Sequence, residues 1–180
     1  TEASLDTPQE ASSSIDALTR GALQGMALLL NIITMIIVLV ALVHLINILL
    51  GALPGIAGEP LSLQRIMGWL LSPLVWIMGI PWSEAQAAGS LLGTKTILNE
   101  FIAFVEMSRT GSETLSQRTL LMMSYALCGF ANPGSLGIMI GGLGGMAPER
   151  RAEIVSLGLP SILAGTLATC MTGALVGVLM

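Results

Sequence analysis

Charge is scarce in this chain: 10% of its 180 residues are charged, against about a quarter in an ordinary soluble domain. Too few polar groups remain to cover a water-facing surface, so a soluble globular domain is excluded. The seven basic residues are outnumbered by eleven acidic ones, giving a net charge of −4, and they form no basic tract. That excludes nucleic-acid binding, which draws its affinity from many phosphate contacts. Cysteine is scarce as well. Cys128 and Cys170 each lie alone in a long apolar run, which gives neither a disulfide framework nor a metal-ligand cluster and reads both as small packing residues. The single histidine, His44, has no ligand-type neighbours and pairs best with Asn47, one turn on, as a helix-packing contact. No basic n-region leads into the apolar run at residue 21, so that run is not a signal peptide, and Thr1 reads as the end of a processed chain or a fragment. With 53% hydrophobic residues, the composition predicts a membrane protein.

Hydropathy divides the chain into stretches. Residues 1–20 form a polar, acidic lead-in, and residues 21–53 form a long apolar helix that ends at Gly51, Pro54 and Gly55. From Gly21 to Gly51 that helix would measure about 46 Å against a hydrocarbon core of about 30 Å, so it must tilt or protrude. Residues 61–82 carry Trp69, Trp76 and Trp82 together with Pro73 and Pro81. Tryptophan favours the headgroup region and proline disfavours a regular span, which predicts an interfacial helix.

Two further stretches carry charge or helix breakers into the apolar zone. Residues 83–107 hold Lys95 and Glu100 near their middle. A helix capped by Ser83 that turns back at Gly93-Thr94-Lys95, with Thr94 or Thr96 opening the return arm, explains them better than a straight span. The expectation is a re-entrant hairpin with Lys95 snorkelling to water from its tip. The broken helix at 115–146 is interrupted by Cys128-Gly-Phe-Ala-Asn-Pro-Gly-Ser135. Pro133 removes a backbone donor and disfavours helical geometry at Asn132. Asn132 is therefore expected as N-cap and Pro133 as first residue of a second half-helix. A final helix at 150–180 carries Gly165, Thr169, Gly173 and Gly177 at four-residue intervals, a small-residue stripe suited to packing within the chain. Arg150 and Arg151 suggest a cytoplasmic loop before it.

A polar group in hydrocarbon is costly, so Thr94, Lys95, Thr96, Asn99, Glu100, Asn132 and Ser135 become candidates for function. Half-helix ends meeting at the midplane are how many secondary transporters build substrate sites. Carboxylate, amide and hydroxyl groups suit a ligand rich in hydroxyls.

GTKTILNEF at 93–101 and ALCGFANPGSLGIMIGGLGGMAPERR at 126–151, with IDALTRGALQGMALLLNIITMI at 15–36, resemble the concentrative nucleoside transporters. The resemblance covers that family's C-terminal half. It implies an all-α polytopic membrane protein with a long tilted scaffold helix, an interfacial helix, a re-entrant helical hairpin, a discontinuous helix and a terminal transmembrane helix. Residues 83–180 would form one transport-domain repeat. It further implies a homotrimeric symporter of nucleosides in the inner or plasma membrane, driven by Na+ or H+. Carried over by position, Glu100 and Asn132 would bond ribose hydroxyls with Ser135 beside them, and Phe130 would contact the nucleobase. No cofactor is implied, and the coupling ion would bind mainly in the N-terminal half. Two other readings stand beside it: a non-transporting membrane scaffold fragment, and an intramembrane enzyme using Ser135.

Overall fold

The computed structural model describes residues 11–56, 58–110 and 114–180, and its regular elements are all helical. The chain divides into two compact units, residues 1–38 and 39–180. Helix α1 spans Ser14–Gly51, 38 residues or about 57 Å at 1.5 Å per residue. It begins seven residues before the apolar run. Ser13 Oγ accepts from Asp16 N at 3.2 Å, and the Asp16 carboxylate accepts from Ser12 N at 2.9 Å, so polar capping chemistry rather than hydropathy sets the start. Leu23, Met26, Leu29 and Leu30 of the first unit are apolar yet exposed, as expected of a helix whose solvent is lipid.

In the second unit, Asn47 serves α2 (Leu63–Ile77) and not His44. Its Oδ1 accepts from Leu63 N at 2.8 Å, its Nδ2 donates to Gln64 Oε1 at 2.9 Å, and His44 is exposed. Pro73 lies inside α2 after all. Ser72 Oγ donates to Gly68 O at 2.6 Å, which supplies a polar partner near the hydrogen bond that proline deletes. At the end of α2 the chain turns through 118° into α3 (Trp82–Ile97), with Gly79 at φ +101 forming the corner. Glycine is required there because that backbone region penalises a Cβ. Pro81 is the N-cap, so Trp82 opens the hairpin instead of closing the interfacial helix, and Ser83 caps nothing. The tryptophans keep to the exposed side, Trp76 and Trp82 edge to face at 6.1 Å. Gly68, Gly89 and Gly93 let α2 and α3 touch backbone to backbone: a Cβ on Gly89 would lie 2.7 Å from Gly68 O, and one on Gly93 would collide with Met67.

After α3 the chain reverses into α4 (Glu100–Arg109). Thr94 Oγ1 donates to Glu106 Oε2 at 2.8 Å, whereas twelve residues along an unbroken helix would separate them by about 18 Å. Residues 83–107 are therefore a hairpin. Its turn lies at Leu98-Asn99 and not at Gly93-Thr94-Lys95. Gly93 is needed for the close passage of Met67, and Asn99 caps α4 by accepting from Ile102 N at 2.9 Å.

Helix α5 (Gln117–Ala126) is capped by Ser116, whose backbone N–H and hydroxyl both donate to Glu84 at 3.0 Å. Helix α6 (Pro133–Met146), a 3₁₀ turn at Pro148–Arg150, α7 (Arg151–Ser156) and α8 (Gly158–Leu179) complete the unit. The small-residue stripe of α8 packs inward. A Cβ on Gly173 would sit 2.7 Å from Met122 O, and one on Gly177 would sit 2.6 Å from Met122 Sδ. Arg118 ties the ends of this pack, donating to Gly79 O at 2.8 Å and to Gly177 O at 2.7 Å. Cys170 is buried, as expected of a packing residue, but Cys128 is exposed because it lies in the break between α5 and α6.

Gly173→Ala should lower the melting temperature of the detergent-purified full-length protein, because the new methyl meets a backbone carbonyl that cannot rotate away. Overpacking of this kind costs about 1–3 kcal/mol. Gly21→Ala, whose Cβ meets nothing within 4 Å, should leave melting unchanged. Equal melting of the two variants would contradict the packing described.

Candidate functional site

Both helix breaks end in a half-helix capped by asparagine. Asn132 is the N-cap of α6, Pro133 is its first residue, and Asn132 and Ser135 form a reciprocal capping box. Asn132 Oδ1 accepts from Ser135 N at 2.8 Å, and Ser135 Oγ accepts from Asn132 N at 3.2 Å. At the hairpin, Asn99 caps α4 and Glu100 is the first helical residue. Each start leaves N–H groups and a positive dipole end facing outward.

The two caps converge. Asn132 Nδ2 donates to Glu100 Oε2 at 3.0 Å across 32 residues of sequence. The amide thus caps with its oxygen and grips the carboxylate with its nitrogen, while the carboxylate sits at the N-terminus of its own helix. Asn132 is 2% exposed, and Glu100 and Ser135 are half-buried. The Ser135 hydroxyl also lies 2.8 Å from Phe130 O and 2.9 Å from Asn132 O. It has one hydrogen to give and several partners for it, which removes it as an activated nucleophile. The Phe130 ring, 73% exposed, projects from the break. Glu100, Asn132 and Ser135 are brought together, and Phe130 belongs to the same loop.

The structure departs from expectation at Lys95, at Glu106, which the sequence did not single out, and at Thr169, which reads in the sequence only as a packing residue. Lys95 does not snorkel: it is 0% exposed, and its Nζ donates to Thr169 Oγ1 at 3.1 Å and Ala126 O at 3.4 Å. Glu106 zips the hairpin through Thr94, and Thr169 is the polar member of the α8 stripe. Their signal was present in the sequence, as a second carboxylate in the hairpin and as the one hydroxyl residue in the four-residue stripe of Gly165, Thr169, Gly173 and Gly177. Thr96 only bonds back to Leu92 O within α3. Among the described residues no cluster of His, Cys, Asp or Glu could hold a metal ion.

Residues 1–177 match the family described as Na+ dependent nucleoside transporter C-terminus. The chain belongs to this family. It is 42% identical over 174 residues to the transporter YutK of Bacillus subtilis, covering 96% of this chain and 43% of that protein. To the nucleoside permease NupC of Helicobacter pylori it is 39% identical over 170 residues, covering 92% and 41%. The fold matches CNTnw in an inward-facing substrate-bound state with a TM-score of 0.81 and 40% identity, covering 96% of this chain and 41% of that one. The chain thus spans about two-fifths of the length of these family members. As a member of the family it is an all-α membrane protein related to transporters, not to enzymes.

The dual use of Asn132 can be tested by substitution. Asn132→Ser should keep the cap and lose the bond to Glu100, lowering melting by the equivalent of about 1.5–3 kcal/mol, the range for a hydrogen bond to a charged group. Asn132→Asp keeps the cap but sets two carboxylates against each other. Its penalty should exceed that of the serine variant, because like charges then adjoin. An aspartate variant that melts no lower than the serine variant would mean that position 132 does not face Glu100.

Proposed function

We propose that this chain is the sugar-holding C-terminal half of a secondary active symporter that carries nucleosides across the inner or plasma membrane on a Na+ or H+ gradient, assembled as a homotrimer. The observation that carries the reading is the 3.0 Å contact between Glu100 and Asn132, each on a half-helix start. A ribose presents neighbouring hydroxyls that both donate and accept. Glu100 keeps its second oxygen for them, and Asn132 keeps the second hydrogen of its amide. Ser135 lies within the same cap. Phe130, exposed and aromatic, offers a face on which a nucleobase stacks.

The family's description and the permease among its relatives support nucleosides as the cargo. The Na+ dependence of the family favours sodium over protons, and the coupling ion would bind mainly in the N-terminal half. The bonds of Lys95 and Glu100 join the hairpin to α5, α6 and α8. Hairpin and broken helix therefore move as one body when the site is exposed to either side in turn.

In the full-length transporter reconstituted in vesicles, Glu100→Gln and Asn132→Ala should each cut ribonucleoside uptake by at least about tenfold, the size of one hydrogen bond to a charged group, with protein still in the membrane. Nucleosides lacking the 2′ and 3′ hydroxyls should be poor substrates for the parent. Near-normal uptake by both variants would refute the assignment of these residues. A parent protein that inserts but carries no nucleoside would favour the scaffold reading.

A further inference from the structure

Lys95 is the only lysine in the chain, and it is completely buried. An ammonium taken out of water must be compensated, yet its hydrogen-bond partners are neutral: a carbonyl and a hydroxyl. The carbonyl belongs to Ala126, the last residue of α5, one of the acceptors that a helix end leaves unpaired. Lys95 itself lies in the last turn of α3, and its ammonium crosses to the negative dipole end of α5. Thr169 gives its own hydrogen to Thr166 O at 3.0 Å, which turns its lone pairs toward the ammonium. Its methyl fills the space where a Cβ on Gly129 would be, so the hydroxyl is wedged directly against the break between α5 and α6.

Carbonyl oxygens at half-helix C-termini are the groups with which secondary transporters coordinate a coupling cation. Here that kind of oxygen set closes on a side chain. We infer that Lys95 is a tethered cation: its ammonium fills, at the break of this repeat, the place a free monovalent cation would fill, and by holding Ala126 and Thr169 it sets the break so that Asn132 meets Glu100. Lys95 is thus a positioning residue and touches no substrate. Only the uptake readout below rests on the transport reading; the melting readout does not.

The experiment uses the full-length transporter carrying Lys95→Met, neutral and of similar length, or Lys95→Ala, which opens room for a small amine. Both should melt below the parent and lose at least about tenfold in uptake, the size of one charge-assisted hydrogen bond. Propylammonium should raise the melting temperature and the uptake of Lys95→Ala, while propanol and tetramethylammonium at the same concentration should do neither. Thr169→Val, which keeps the methyl and removes the hydroxyl, should behave as the lysine variants, which decides the matter should Lys95→Ala fail to fold. Parent-like melting and uptake in Lys95→Met, rescue by propanol equal to that by the amine, absence of amine rescue in folded Lys95→Ala, or a parent-like Thr169→Val would each overturn the inference. A parent that carries no nucleoside, with amine rescue of melting intact, would instead sink the transport reading alone.

Discussion

A helix that stops in an apolar environment leaves backbone donors at one end and backbone acceptors at the other, and each must find a partner. This chain stops two helices inside a single packed unit, at Leu98-Asn99 and between Ala126 and Pro133. The unpaired ends sort charge. Two half-helix starts, capped by Asn99 and Asn132, gather the Glu100 carboxylate, and the C-terminus of α5 holds the Lys95 ammonium. Among the described residues no ion pair joins the two charges. Each is held by hydrogen bonds to uncharged groups, and the carboxylate keeps one oxygen without a protein partner among the described residues.

Close packing gives those ends fixed positions. Helices α2 and α3 approach through Gly68, Gly89 and Gly93, and α5 and α8 through Gly173 and Gly177, with backbone atoms at van der Waals distance. Small residues are how helices bury surface against each other where lipid removes the usual hydrophobic gain. The result is a hairpin and a broken helix held by contacts that admit little sliding. A site assembled from helix ends keeps its geometry only when the helices behind it are immobile.

The break at Asn132-Pro133 was legible in the sequence because its causes are local. Proline cannot donate, asparagine can cap, and the serine three residues on completes the box. Glu100 stood out because an ionisable group in an apolar stretch is conspicuous by itself. The hairpin was legible as a reversal but misplaced by about five residues. Gly93 suits a turn and a close helix crossing equally well, and only the position of Met67 decides between them. Lys95 was misread for a related reason. Its partners lie 31 and 74 residues away, and separations of that size leave no periodic mark. Thr169 sat in a stripe whose glycines explained it as packing, and its hydroxyl gains meaning only beside the ammonium.

An amide at position 132 is what lets one residue serve both the fold and the site. The N-cap demands an acceptor aimed back at Ser135 N, and the neighbouring carboxylate demands a donor aimed away from it. Serine could supply the acceptor but is too short to reach across. Aspartate could cap as well but would present charge to charge. Asparagine separates the two functions along one rigid plane, oxygen on one side and nitrogen on the other. Because the cap fixes that plane, the donor toward Glu100 is aimed before any ligand arrives. On the proposed reading, a sugar entering the junction would meet polar groups whose ordering entropy was already met when the helix formed, and affinity gained by such preorganisation needs no further contacts.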